Sequence, residues 1–398
     1  MSTLVQPAYP YVNVAIDTSA LVPVAQRSPG VVAVVGNAAA TVAAAAATPV
    51  EVTDHASVLS LFARGTAAND LTRSLDLVLA QDPRPSKIYG VRTGTADDYA
   101  GALAGLDAAD DVTFVCLAGE TSVGTATADA TAATGLTALK EHVEEMSAAG
   151  QRRMAVAMID PAIARSASYV SDVLETTSYG ALRSDDGRMI LIAARGASAD
   201  PNQPTQLADA AAAAMGAIAG YAPSTSVVLK QVRGFSMPVT SQYTPAEITA
   251  LAGAGVIPLI DPALIPGSGL YLADGGAFSA DPARRYVDTV RIMDHLEFQL
   301  RAGLIGAIGD SRITKPGLTS LRVRVEGILG PLQQSAVIDD FAVSIPLLAI
   351  LSLAESARSS ADQAQVVTAR QTRQVSVLVS FTMGPDIHCL NVTLAPHS

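Results

Sequence analysis

Histidine, cysteine and carboxylate side chains could carry catalysis or hold a metal, and in this chain they are scattered. No two of the five histidines stand at the spacing of metal ligands. Cys116 and Cys389 form no Cys-x-x-Cys motif, and nothing in the sequence marks the chain as secreted, so we predict free thiols with a disulfide between the two as the alternative. His295 follows Asp294 within a predicted helix, where consecutive side chains point in different directions. We therefore expect no metal site and no cofactor.

The glycine and strand-end motifs also lack the spacing that phosphate binding or nucleophilic catalysis requires. Gly30 and Gly36 flank a predicted strand but form neither G-x-G-x-x-G nor a P-loop, and residues 267–269 (Gly-Ser-Gly) are not a G-x-S-x-G elbow. Asp160 precedes a proline at a predicted strand end, where Asp-Pro is usually a turn. We predict that the chain is not an enzyme. An α/β enzyme that uses Asp160 stays open as an alternative, because active sites assemble from distant positions.

The chain has 398 residues, which is enough for two or three domains. Strands and helices alternate through its first half. Apolar runs predict strands, and apolar residues at helical spacing predict helices. The predicted strands are 31–35, 49–52, 88–92, 112–118, 154–159 and 189–194. One predicted helix begins after Asp54, which serves as its N-terminal cap. Three more helices are predicted over 70–80, 138–149 and 207–218. This alternation predicts a mainly parallel or mixed sheet with helices packed on it.

The last third of the chain has a different pattern. Asp281 followed by Pro282 is typical of a helix start, and an apolar stripe from Tyr286 to Leu304 continues it. A second helix is predicted from about Pro316, and a strand over 375–381. The sequence therefore predicts two long helices and a strand in a part of the chain separate from the alternating region.

Each end of the chain carries an isolated segment in which apolar and polar residues alternate, as in a half-buried strand. The apolar positions are Val12, Val14 and Ile16 near the start and Leu390, Val392 and Leu394 near the end. A lone strand needs a sheet to join. We predict that these strands join sheets of neighbouring subunits through main-chain hydrogen bonds, with pairing inside the same chain as the alternative.

The composition argues against nucleic acid and membrane as partners. The net charge is −11, whereas phosphate binding needs concentrated Lys and Arg. Residues 30–50 are uncharged over about the length of a membrane span, but they contain no Leu, Ile or Phe. We expect no nucleic acid binding and no membrane insertion.

Five segments carry a pattern that extends over most of the chain. Segment 9–38, which begins YPYVNVAID, has an extended strand, a polar turn and a Val-rich strand ending in Gly. Segment 49–81 follows with a strand and two helices, and segment 86–94 with a strand ending in Val-Arg. Segment 254–304, from AGVIPLIDP to QLRAGL, is the most specific, and segment 312–329 adds a turn and helix. In this order the segments resemble the contractile tail sheath family of phages and R-type pyocins.

The resemblance implies a multi-domain fold of mixed α+β and α/β class. It implies an N-terminal linker arm over 1–24, an outer α/β region over 25–240, an inner domain facing the tail tube over 241–385, and a C-terminal strand arm over 386–398. The two lone terminal strands would then be arms that hold neighbouring subunits together.

The resemblance also implies a mechanical role. Sheath subunits form stacked hexameric rings around a tail tube and contract to drive the tube through a target envelope, delivering a genome or effectors. The expected partners are other copies of the chain, the tail tube protein, and baseplate and tail terminator proteins. The expected location is a virion tail assembled in the host cytoplasm. A different self-assembling virion or shell protein is the alternative within the structural class.

Residues 281–326 hold eight Lys and Arg against six Asp and Glu, in a chain that is acidic as a whole. Because the resemblance places this region next to the tube, we expect weak contacts between its arginines and acidic tube residues. The candidates are Arg284, Arg285, Arg291, Arg322 and Arg324. Ion pairs on helix surfaces within the subunit are the alternative.

Overall fold

A computed structural model of the chain describes residues 30–63, 69–126, 133–199, 207–267 and 269–388. The predicted terminal strands around Val12, Val14 and Ile16 and around Leu390, Val392 and Leu394 lie outside these residues.

Nine strands form one mixed sheet in the order β2-β3-β1-β4-β5-β6-β8-β9-β7. Neighbouring strands from β3 to β8 in this order are parallel, while β2, β9 and β7 pair antiparallel with their neighbours. The strands are β1 Val31–Gly36, β2 Val50–Val52, β3 Lys87–Arg92, β4 Phe114–Leu117, β5 Met154–Met158, β6 Met189–Ala193, β7 Gln231–Val232, β8 Val256–Ile260 and β9 Leu270–Leu272. The mainly parallel or mixed sheet predicted from the alternating pattern is confirmed.

Helices cover both faces of this sheet, which is why its central strands are continuous apolar runs. Along β1, Val32 and Val34 face one core and Val31, Ala33 and Val35 face the other. The first core is closed mainly by α2 and α6, and the second mainly by α3 and α4. The helices of this region are α1 His55–Phe62, α2 Asp70–Leu79, α3 Tyr99–Ala104, α4 Gly135–Ala148, α5 Tyr169–Ser171, α6 Ala210–Ala219 and α7 Pro245–Gly253. We call β1–β9 with α1–α7 the α/β body.

Side-chain caps fix where several of these helices begin. Asp54 accepts a hydrogen bond from Ser57 N at 2.7 Å, which confirms its predicted role as the cap of α1. Asn69 caps α2 in the same way through Thr72 N at 2.9 Å. Asp209 caps α6 through Ala212 N at 2.9 Å.

The rest of the chain forms a smaller C-terminal unit with its own two-stranded sheet. Its elements are α8 Val287–Leu304, α9 Lys315–Gln334, β10 Ile338–Ser344, α10 Pro346–Ser352, α11 Ser360–Thr372 and β11 Leu378–Met383. Helix α8 connects the two parts, because Val287 and Val290 belong to the first core of the body whereas Ile292 and Leu296 pack with α9 in a separate core.

Several predicted boundaries differ from the structure. The boundary at residue 240 falls inside the nine-stranded sheet, since β8 pairs with β6 and with β9. Asp281 caps a short 3-10 turn, Pro282–Arg284, and α8 begins only at Val287. The strand predicted over 375–381 is Leu378–Met383. Across the described residues, every helix is too short or too polar to cross a membrane.

Candidate assembly surface

The two-stranded sheet of the C-terminal unit has one covered face and one exposed face. In β10 and β11, Phe341 pairs with Phe381 and Val343 pairs with Val379. These four side chains pack on a core that includes Val325 and Leu329 of α9. The residues between them, such as Ser380 and Thr382, are exposed. The sheet is therefore held on the helices by alternate side chains of its strands.

In the part of the chain that the structure describes, both long edges of this sheet are open. Among the described residues, β10 pairs only with β11, so each strand has an outer row of main-chain N–H and C=O groups without a strand partner. Natural proteins usually protect such edges with Lys, Pro or inward-pointing charge. Strand β11, with the sequence LVSFTM, contains no proline and no charged residue. An open and unprotected edge is a template for a strand from another chain.

After β11 the chain returns to the α/β body and is fixed there. Ser226 N donates a hydrogen bond to Asp386 Oδ2 at 2.8 Å, and Ser226 Oγ lies 2.9 Å from His388 Nε2. The His388 ring meets the Tyr286 ring edge-on, with centroids 4.9 Å apart, and His388 Nε2 lies 3.7 Å from Asp288 Oδ2. The segment predicted as the C-terminal arm thus starts from an attached position, which we call the Ser226 anchor (Ser226, Tyr286, Asp288, Asp386 and His388).

Two of the candidate tube-facing arginines lie in the turn before α8. Arg284 pairs with Asp186 and lies 3.8 Å from Asp281. Arg285 is exposed and lies over the Tyr286 ring at 5.7 Å. Arg285 is the more available of the two for a partner, since Arg284 already has acidic neighbours within the chain.

Two further candidates lie on α9. Arg322 pairs with Glu326 at 3.1 Å, one turn along the helix. Arg324 is exposed and lines a surface groove together with Asp310 and Arg312. Arg322 therefore fits the alternative of an ion pair on a helix surface within the subunit. Arg324 stays a candidate for a contact with another protein.

Arg291 does not fit the prediction of a tube contact. Its side chain is 5% exposed, and Nη2 donates to Tyr221 O at 2.7 Å. Burial lowers the pKa of its guanidinium to about 10. The prediction for Arg291 is wrong in this structure because the first half of α8 is enclosed by the body, so even its charged positions face inward.

Asp160, the residue of the enzyme alternative, has the role of a turn residue. Its carboxylate accepts from Ala162 N at 2.8 Å, as in an Asx turn, and its N–H donates to the Tyr179 hydroxyl at 2.9 Å. It lies beside a cavity of about 230 Å³ at the carboxyl ends of β4 and β5, the usual ligand position in open α/β sheets.

A buried carboxylate at this cavity, that of Asp209, is bonded within the fold. Asp209 accepts from Ser74 Oγ at 2.6 Å and from Gly119 N at 2.9 Å in addition to capping α6. Burial nevertheless raises its pKa above the usual range. Within the described ranges, no three His, Cys, Asp or Glu side chains are grouped as metal ligands.

Comparison with solved structures shows that the fold of this chain is similar to that of contractile sheath proteins. A chain of the PVC sheath complex of an extracellular contractile injection system, in the contracted state, matches with a TM-score of 0.68 at 13% identity, covering 99% of both chains. A chain of the six-fold symmetrised baseplate structure of the anti-feeding prophage matches with a TM-score of 0.63 at 13% identity, covering 99% of this chain and 100% of that one.

A crystal structure of the sheath tail protein from Desulfitobacterium hafniense also matches, with a TM-score of 0.57 at 12% identity, covering 85% of this chain and 93% of that one. No family model and no curated protein matches the sequence. The likeness therefore concerns the fold, and the predicted resemblance to tail sheaths agrees with it.

Sequence reasoning predicted one strand of the open-edged sheet, over 375–381, and missed its partner β10. The alternation of apolar and polar residues in β10 is interrupted by a register shift between Ile338 and Asp340. The signal that could have revealed it is the pair Phe341 and Val343, which repeats the spacing of Val379 and Phe381.

Proposed function

We propose that this chain is a structural subunit of a contractile sheath and has no catalytic activity. The observation that carries the proposal is the fold match over 99% of both chains to a sheath of a contractile injection system. The match includes the C-terminal unit, where the open-edged sheet lies. We propose further that the subunits form hexameric rings stacked around a tail tube and contract to drive the tube through a target envelope, delivering a genome or effectors.

The open edges of β10 and β11 are the proposed receptors for terminal strands of neighbouring copies. The donor strands are those marked by Val12, Val14 and Ile16 and by Leu390, Val392 and Leu394. A net main-chain hydrogen bond contributes about 0.5–1.5 kcal/mol, so a strand making about five of them contributes about 3–8 kcal/mol. That is enough to keep neighbours connected while their bodies move, because each copy both donates and receives strands.

Contraction would then be a rearrangement of α/β bodies that keep their own structure. The body has cores on both faces of its sheet, so it is suited to move as a rigid unit. The driving free energy would be the difference between the packing of bodies in the extended and the contracted sheath, and no nucleotide is needed for it.

The remaining partners follow from the same proposal. The sheath would contact a tail tube protein, with Arg285 and Arg324 as the exposed candidates on this chain and Arg284 and Arg322 as paired ones. It would end at baseplate and tail terminator proteins. We place it in a virion-like tail assembled in the host cytoplasm, with neither nucleic acid nor membrane as a partner.

Negative-stain electron microscopy of the chain expressed alone tests the proposal. We expect long hollow tubes with a regular ring repeat. Deleting 1–20 or 390–398 should abolish them, because either deletion removes a donor strand. The deletion of 390–398 leaves Asp386 and His388 at the Ser226 anchor. Loss of tubes would therefore report on the strand and not on the anchor.

A matched control is Val367→Ser on α11, which changes an exposed apolar residue far in sequence from both donor strands. It should still form tubes. Small monodisperse particles from the full chain, both alone and after co-expression with a tail tube protein, would contradict the proposal.

A further inference from the structure

A small cavity lies where α8 crosses the amino ends of β4 and β5. Its walls include Phe114 at the start of β4, Arg152 just before β5, and Pro223 from the loop after α6. The α8 side is formed by Arg291, Asp294, His295 and Phe298, which share one helix face at spacings of three and four residues. The cavity therefore lies at the contact between the α/β body and the helix that leads into the C-terminal unit.

Arg291 brings an incompletely bonded cation to this cavity. Its side chain is 5% exposed, Nη2 donates to Tyr221 O, and Nη1 is buried with no hydrogen-bond partner among the described residues. The guanidinium lies over the Phe114 ring, with Cζ 5.4 Å from the centroid. A buried charge without a counterion is costly, and the ring offsets only part of that cost.

Within the described structure, the carboxylates near Arg291 form no ion pair with it. Asp294 is held in a two-point ion pair by Arg188, at 2.6 and 2.9 Å. Glu297 pairs with Arg152 at 2.7 Å. Asp288, one turn before Arg291, stabilises its charge at a distance but forms no ion pair with it in the described structure.

The remaining titratable group at the cavity adds no negative charge. His295 Nε2 lies 2.8 Å from Gln299 Nε2. Burial and the Arg291 charge lower the pKa of His295, so this ring is neutral at neutral pH. Among the described residues that line the cavity, the guanidinium of Arg291 is thus the charged group that lacks an opposite charge at contact distance.

We propose that this cavity binds one small monovalent anion, of the size of chloride or nitrate, against Nη1 of Arg291. The cavity volume of about 40 Å³ allows about one to three water-sized occupants and excludes nucleotides or sugars. The anion would neutralise the charge of Arg291. It would thereby stabilise the packing of α8, which leads into the C-terminal unit, against the amino ends of β4 and β5.

Chloride NMR linewidths of the full chain, with and without a competing anion, test the proposal. Exchange at a protein site broadens the chloride resonance, and we expect nitrate to reverse the broadening at constant ionic strength while sulfate does not. The melting temperature should rise by about 2 °C when gluconate is replaced by chloride at saturating concentration, since a ligand that binds only the folded state stabilises it.

Two variants assign the effect to the cavity. Arg291→Met removes the cation with a side chain of similar length, and Pro223→Phe narrows the cavity while keeping Arg291. Both should lose the nitrate-sensitive broadening. Arg322→Met is the control, because it removes an exposed arginine of α9 and should leave the broadening unchanged.

The outcomes separate an anion from water. If the chloride resonance is no broader with the full chain than in the same buffer without protein, the cavity holds water only. The proposal is then wrong, whatever the variants do. Broadening that survives in a folded Pro223→Phe or Arg291→Met variant places the anion elsewhere and also overturns it.

Discussion

Replacing Leu329 by Ala should loosen the small sheet without loosening the α/β body. Leu329 lies on α9 with no exposed surface, and Phe341 and Phe381 of the sheet pack against its core. A two-stranded sheet is marginal on its own, so its packing on α9 supplies most of its stability. Removing this side chain should therefore act on β10 and β11 first.

The expected magnitude follows from the burial. A buried Leu→Ala change costs about 2–5 kcal/mol, depending on how far the site can collapse. With about 3 kcal/mol at this site, the equilibrium for opening of the sheet rises about 150-fold. Amide hydrogen exchange in 338–344 and 378–383 should accelerate by about that factor, while the central strands β1, β5 and β6 keep their protection. Tube formation should fail, since the receiving edges are no longer ordered.

Leu75→Ala is the matched control, because Leu75 is equally buried on α2 but lies in the first core of the body. It should accelerate exchange in the body instead. The reasoning is refuted if Leu329→Ala lowers protection equally in both sheets, which would mean that the two parts unfold as one cooperative unit, or if it leaves β10 and β11 protected.

Three other predictions concern titration, capping and the tube contact. Burial and Arg153 lower the pKa of His142 to about 3 from the ordinary 6.5, so between these values only the unfolded chain binds the proton and stability falls with falling pH. The loss should be about 2–3 kcal/mol at pH 4.5 relative to pH 7 in urea unfolding, and His142→Gln should reduce it. Asn69→Ala removes the cap of α2 and should cost about 1 kcal/mol in the same assay, whereas an unchanged midpoint would contradict the capping role. Reversing charge at Arg284 and Arg285 should weaken co-sedimentation with a tail tube protein, and unchanged co-sedimentation would remove these residues from the proposed contact.

The α/β body could be predicted from the sequence because its local and global patterns agree. Strands such as Met154–Met158 and Met189–Ala193 are buried on both faces and are therefore unbroken apolar runs. Their separation by helical segments then predicts parallel pairing. The body boundary was placed too early because β8 and β9 follow a long irregular stretch, and membership of a sheet depends on pairing with β6 that no local pattern reveals.

The assembly surface was harder to predict. The terminal strands were predicted from their alternation, but the edge that could receive them depends on which side of β11 lacks a neighbour among the described residues. Arg291 shows the same limit for charge. Its neighbours Val290 and Ile292 belong to different cores, so that part of α8 is enclosed on more than one side and an arginine there is buried. A count of charges cannot distinguish it from exposed Arg285.

The two parts of the chain are stabilised in different ways, and this difference bears on how a sheath could hold together while it contracts. The sheet of the body is covered on both faces by cores of its own chain. Within the described residues the small sheet has one exposed face and two open edges, so strands added from other copies would stabilise it by mass action. Its protection against hydrogen exchange should therefore rise on assembly, while that of β1, β5 and β6 should stay constant. Equal protection of β10 and β11 in unassembled and assembled chains would mean that their edges receive nothing, and connection between subunits would then have to come from the bodies.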